Sequence, residues 1–208
     1  REEQAMLLYR PVFRHRDDAE QPPNLAEAEK IAPGLTPRYA DPERFAVDVE
    51  TPSGEVLAVD DPKLPAMLAE SLGGKHDVTL VRSDRAMTDC RPVSLFSMQT
   101  VRQLGQEIGT DLDARRFRAN IYVDLGSSSG FAEDELVGRK LGIGSKAVIA
   151  VLERDPRCKM ISIDPETAEL NPEVLKEVSR GHDGKAGVYG AVLVEGTVRS
   201  GDPVRLLD

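Results

Sequence analysis

The sequence predicts a β-rich α+β fold: a barrel with peripheral helices, preceded by a smaller β segment. Short runs alternating apolar and polar residues recur through the second half, separated by turns rich in Gly and Pro. Only four short segments read as helix. The 208 residues, 40% hydrophobic and 30% charged, have an ordinary globular balance and enough chain for a sizeable core.

In chain order, residues 1–44 hold Pro11, Pro22, Pro23, Pro33, Pro37 and Pro42, so they read as loop-rich with one short helix near Leu25–Ile31. Phe45–Val49 and Glu55–Val59 alternate around Pro52-Ser53-Gly54 and predict a hairpin. Leu64, Met67, Leu68 and Leu72 share a helical face over Pro62–Leu72, which Gly73-Gly74 stops. Asp77–Arg82 and Val93–Phe96 read as strands. Ser97 is placed to cap a helix over Met98–Ile108 that ends at Gly109. Phe117–Asp124 reads as a strand, followed by a Gly/Ser loop and an acidic turn at Glu133-Asp134-Glu135. Ala147–Glu153, Lys159–Ile163, Val188–Glu195 and Val204–Leu207 supply the remaining strands, with a helix over Pro172–Ser179.

Charge and apolar runs exclude several functions. Lys and Arg total 27 against 36 Asp and Glu, a net −9, so no general binding to nucleic acid or anionic membrane is expected. The longest apolar run, Ala147–Leu152, is far short of a membrane span. No signal-peptide core follows Arg1, so the expected location is cytoplasmic. The absent initiator Met suggests a segment of a longer protein. Cys90 and Cys158 are too few for a four-thiolate zinc or iron–sulfur site, and His15, His76 and His182 show no metal-ligand spacing.

Two constellations carry chemistry. If Phe117–Asp124 is extended, Arg116, Arg118, Asn120 and Tyr122 fall on one face. That face suits a phosphate or oxyanion, or else a solvated surface paired with the protein's carboxylates. Ser97 and Thr100, at a helix start, add either anion donors or a simple cap. In Glu153-Arg-Asp-Pro-Arg-Cys-Lys159, the Cys158 thiol lies among Arg154, Arg157 and Lys159, cations that favour a thiolate. The competing reading is a small buried hydrophobe. Cys90, between Asp89 and Arg91, is expected to pack. His182 reads as a turn or loop residue, or else one that lines a site entrance, and adjacent Glu133 and Asp134 would point opposite ways if extended.

Three segments together are more specific. Arg116-Phe-Arg-Ala-Asn-Ile121, Phe131-Ala-Glu-Asp-Glu135 and Arg157-Cys158 leading into Ile163-Asp-Pro-Glu-Thr167 resemble the MOSC domain. This is the C-terminal domain of molybdenum cofactor sulfurases, also found in the mitochondrial amidoxime-reducing component. Asp89-Cys-Arg-Pro-Val-Ser-Leu-Phe-Ser97 and Gly201-Asp-Pro-Val204 also fit. The resemblance implies a MOSC-type β-barrel over residues 75–208, after an incomplete N-terminal β-barrel-like segment over 1–74. It further implies that Cys158 is a thiolate ligand to the molybdenum of a Mo-molybdopterin cofactor, and so the catalytic residue. Arg118, Asn120 and Arg157, with Arg116, Ser97 and Thr100, would hold the pterin and its phosphate. The implied activity is reduction of N-hydroxylated small molecules with electrons from an external electron-transfer protein. The alternative is a carrier of cofactor or sulfur with a persulfide on Cys158. Pyridoxal phosphate binding is also associated with the family. The family's Tyr-Pro-Val-Lys-Ser strand is only echoed, at Tyr9-Arg-Pro-Val-Phe13.

Overall fold

The hairpin expected around Pro52-Ser53-Gly54 forms, and a strand hidden among the N-terminal prolines joins it. In the computed structural model, which describes residues 3–17, 32, 42–75, 77–81 and 90–207, β1 (Arg10–Phe13) pairs antiparallel with β2 (Val47–Glu50), and β2 with β3 (Val56–Ala58). Pro11 is tolerated because β1 is an edge strand, where a missing N–H need not break a ladder. Helix α1 (Lys63–Ser71) seats Leu64 and Leu68 on Val49 and Leu57, making a small separate core. Gly73 and Gly74, both at positive φ, end this region. Residues 77–81 are not a strand as expected. Val78 packs on the small core, while Leu80 and Val81 stay exposed and pair with no strand among the described residues. The helix expected at 25–31, along with His76, Arg82 and Asp89, lies outside the described residues.

The second sheet has six strands in the order β5-β4-β8-β7-β6-β9. These are β4 (Val93–Ser97), β5 (Ile121–Val123), β6 (Lys140–Ile143), β7 (Ala147–Pro156), β8 (Lys185–Val194) and β9 (Val204–Leu207). All neighbours are antiparallel except β4 and β5, whose connection includes helix α2 (Met98–Ile108), as a parallel pair requires. Three register shifts between the ten-residue strands β7 and β8 bend the sheet. The β-rich α+β fold of the sequence reading is present, its barrel taking the form of a curled half-barrel sheet with β5 and β9 at its edges.

Both faces of this sheet are covered, which is why β4 is buried at consecutive positions. Leu95 joins Val123, Leu141, Ile143, Ile149 and Val151 on one side. Phe96 joins Val101, Leu104, Phe117, Ile161, Val174 and Val178 on the other, beneath α2 and helix α3 (Pro172–Gly181). Ala186 and Val188 would share a face in a regular strand, yet each belongs to a different core. Gly187, at φ +76°, turns the chain between them, and a Cβ there would meet Phe96 at 2.6 Å.

Two expected strands are corrected. Of Phe117–Asp124, only Ile121–Val123 is strand, because Asp113 accepts the Arg115 N–H at 2.8 Å and starts a 3-10 turn over Ala114–Phe117. Lys159–Ser162 is also a 3-10 turn, closed by the Ile161 N–H to the Cys158 carbonyl. β6 was not foreseen in the Gly-rich segment 138–144. No helix among the described residues is long and apolar enough to cross a membrane.

Candidate functional site

The residues of the arginine segment do not share one face. Arg116, on the 3-10 turn, is buried, and its Nη2 lies 2.6 Å from the Asp164 carboxylate. Asp164 also accepts the backbone N–H groups of Glu166 and Thr167, and these bonds, followed by Arg116, hold its carboxyl below the usual range. Arg118 has the left-handed conformation at φ +52°, ψ +33°. Its side chain is exposed and has no hydrogen bond or ion pair among the described residues. A non-glycine residue there carries backbone strain, which structures often hold at functional sites. The Asn120 Oδ1 accepts from the N–H and hydroxyl of Ser94, which occupies only its carbonyl oxygen. Tyr122 turns inward and donates to the Ala114 carbonyl.

Cys158 is a free, half-buried thiol at the end of β7, where it caps the 3-10 turn over Lys159–Ser162. Two of its three flanking cations are committed elsewhere. Arg157 pairs with Asp155 and donates to the Phe117 carbonyl, and its guanidinium carbon lies 5.7 Å from the Phe96 and Phe117 ring centroids. Arg154 reaches Asp134 at 2.8 Å, Asp183 at 3.4 Å and the His182 carbonyl at 3.1 Å. Lys159 is exposed. The bond from Arg157 to Phe117 is the structural link the sequence did not show: it ties the thiol segment to the residue preceding Arg118. Arg116 Nε, Arg116 Nη1, Arg157 Nε and the Ser162 hydroxyl are buried with no hydrogen-bond partner, so this region holds donors in excess of acceptors.

The start of α2 is already supplied with a carboxyl acceptor. The Ser97 hydroxyl accepts the Thr100 N–H at 3.0 Å, so the expected cap forms. Beyond it, the fully buried Glu133 carboxylate accepts the Ser97 N–H at 3.1 Å and the Thr100 hydroxyl at 2.8 Å. The Thr100 oxygen accepts in turn from the Ser97 hydroxyl and the Phe131 N–H. The Ser97 hydroxyl is thus spent on Thr100, and the Thr100 hydroxyl on the chain's own carboxyl group. The place of Glu133 in the acidic turn after Phe131 carries no local signal of this role. Cys90, expected to pack, is exposed in the bend before β4.

With this geometry established, comparison with known proteins gives the family. The MOSC domain family matches residues 82–205, more than half of the chain. The chain belongs to that family. Among curated MOSC-containing relatives it is similar to the molybdenum cofactor sulfurase of Drosophila ananassae, 38% identical over 97 residues covering 46% of this chain and 12% of the relative. With the molybdenum cofactor sulfurase of Drosophila willistoni it is 31% identical over 135 residues, 64% of this chain and 16% of the relative. The MOSC chain therefore spans well under a fifth of these relatives' length. Among solved structures, YiiM from Geobacillus stearothermophilus aligns with a TM-score of 0.45 at 19% identity, covering 57% of this chain and 55% of that one.

Proposed function

We propose that this MOSC domain binds the molybdenum cofactor, with the Cys158 thiolate as protein ligand to the metal, and serves as an oxidoreductase toward N-hydroxylated small molecules. The residues present fit such a group. A free thiol supplies the soft donor that a dithiolene-bound molybdenum accepts. Arg118, exposed and unpaired, supplies a planar fork for a phosphate or pterin oxygen. The observation that carries the reading is the hydrogen bond from Arg157 to the Phe117 carbonyl, which brings the Cys158 and Arg118 segments together.

When bound, the cofactor supplies two-electron oxygen-atom removal. The chain's own part is binding and orientation. Cys158 fixes the metal end, and Arg118, with the Asn120 amide, holds the anionic end. Arg157 positions the thiol segment through Asp155 and the Phe117 carbonyl. The two cysteines of these 208 residues are too few for an iron–sulfur cluster, and the reading draws its electrons from an external electron-transfer protein.

A second reading, a sulfur or cofactor carrier with a persulfide on Cys158, is favoured by the sulfurase names of the relatives. Native mass spectrometry of protein made in a cofactor-proficient host tests both. Bound pterin with molybdenum, lost in Cys158→Ser, supports cofactor binding, and reduction of an N-hydroxylated compound by that loaded protein with an added reductant supports the oxidoreductase. A cyanide-labile sulfur on Cys158 without metal supports the carrier, and neither species refutes both.

A further inference from the structure

At the far ends of α2 and α3, we infer that Glu107, Glu177 and His182 form a binding site for a divalent transition-metal ion, with Zn2+, Co2+ and Mn2+ the fitting class. One ligand atom from each lies within 4.8 Å of the other two. Glu107 is the penultimate residue of α2, Glu177 lies toward the end of α3, and His182 immediately follows α3, so the site joins two helices. One imidazole and two carboxylates suit divalent first-row ions, and three protein ligands leave a position for water or a small anion.

Independent features set these groups in place. The His182 ring stacks on Phe131, with centroids 3.7 Å apart and planes at 12°, which fixes its plane while Nε2 lies 2.8 Å from a Glu107 oxygen. The other Glu107 oxygen accepts from the Gln103 amide at 2.8 Å, an outer-shell bond of the kind that orients metal-binding carboxylates. Gly130 leaves room for that amide, since a Cβ there would come within 2.5 Å of Gln103 Oε1. Gly181 leaves room for Glu177 in the same way: a Cβ at 181 would lie 2.9 Å from Glu177 Oε1. The Glu177 carboxylate has no hydrogen-bond or ion-pair partner among the described residues.

The electrostatics of the site ask for positive charge. Two carboxylates converge close to helix C-termini, where the last carbonyls already present partial negative charge. Arg154 is directed at Asp134, Asp183 and the His182 carbonyl, not at Glu107 or Glu177. A protonated His182 is the competing source of charge. A tetrahedral ion at ordinary bond lengths needs its ligand atoms about 3.4 Å apart, so small rotamer shifts of these side chains suffice.

The test uses the intact chain with Co2+ as a visible probe and Zn2+ as the competitor. One equivalent of Co2+ binds, gives d–d bands without the near-ultraviolet thiolate band that cysteine ligation would produce, and is displaced by Zn2+. Glu177→Gln removes an unpartnered carboxylate and leaves the fold intact, and it weakens binding at least tenfold, as does His182→Ala. Gln103→Ala weakens it about tenfold through the outer shell. Cys158→Ser leaves binding unchanged, so this result is separate from the fate of the molybdenum reading. No stoichiometric binding, equal binding by Glu177→Gln, or a thiolate band that disappears in Cys158→Ser would overturn the site.

Discussion

Glu133→Ala should be among the most damaging single changes in the protein, although Glu133 touches no proposed ligand. The carboxylate is fully buried and accepts two hydrogen bonds, from the Ser97 N–H and the Thr100 hydroxyl. Each bond to a charged group contributes about 1.5–3 kcal/mol, and their donors become unsatisfied when the acceptor is lost. The expected cost is therefore about 3–5 kcal/mol, a large share of the roughly 5–15 kcal/mol that holds a typical domain. Glu133→Gln keeps the shape but should still cost about 1.5–3 kcal/mol. The Thr100 oxygen already accepts twice, so a Gln N–H2 facing it finds no lone pair. Urea unfolding followed by far-ultraviolet circular dichroism reads both values, and the thermal midpoint should fall by about 2–4 °C per kcal/mol. A loss below about 1 kcal/mol for Glu133→Ala, with an unchanged slope in urea, would refute the claim that this carboxylate anchors the start of α2.

Arg118→Ala should leave the urea midpoint within about 0.5 kcal/mol, because Ala keeps the left-handed backbone and only an exposed, unpaired side chain is lost. The same variant should lose pterin retention measured by native mass spectrometry. Arg118→Gly should be more stable than Arg118→Ala by up to about 1 kcal/mol, since glycine relieves the positive φ; equal midpoints would argue against strain there. Gly187→Ala should cost at least about 2 kcal/mol in urea, through a forbidden φ and a 2.6 Å approach to Phe96. Asp164 has a folded pKa depressed below its unfolded value, so its stabilisation is present at neutral pH and is lost as pH falls below about 4. Asp164→Asn should therefore flatten the acid limb of a stability–pH curve while lowering the plateau, and a parallel downward shift would contradict the assignment.

Much of the fold was legible because local signals and tertiary packing agree. Ser97 and Gly109 bracket α2 with the expected cap and left-handed stop, and Asn171 caps α3 through the Glu173 N–H. The hairpin and the long strand β7 follow from alternation that survives into burial, as in Ala147, Ile149 and Val151. The failures occur where a side chain outcompetes alternation. Asp113 captures the Arg115 N–H and coils Ala114–Phe117, so the strand whose alternation is read from Phe117 onward begins only at Ile121. β1 was concealed by Pro11, which is informative only once the strand is known to lie at an edge.

The candidate site was legible as composition but not as charge balance, and the difference decides which arginine is available to a ligand. Four arginines drew attention in the sequence because guanidinium groups and a thiol in two short segments suit an anionic metal cofactor. Their partners come from distant or unremarkable positions: Asp164 for Arg116, Asp155 for Arg157, and Asp134 with Asp183 for Arg154. A buried guanidinium must keep such a counter-charge, so the net acidity of the chain is spent partly on holding these residues rather than on repelling anions. Arg118 escapes because its left-handed backbone takes the side chain out of the packed layer that holds Arg116 and Phe117. A ligand anion would therefore meet Arg118 first, at little cost in broken ion pairs. Arg157 acts differently, keeping the Cys158 segment against the Phe117 carbonyl.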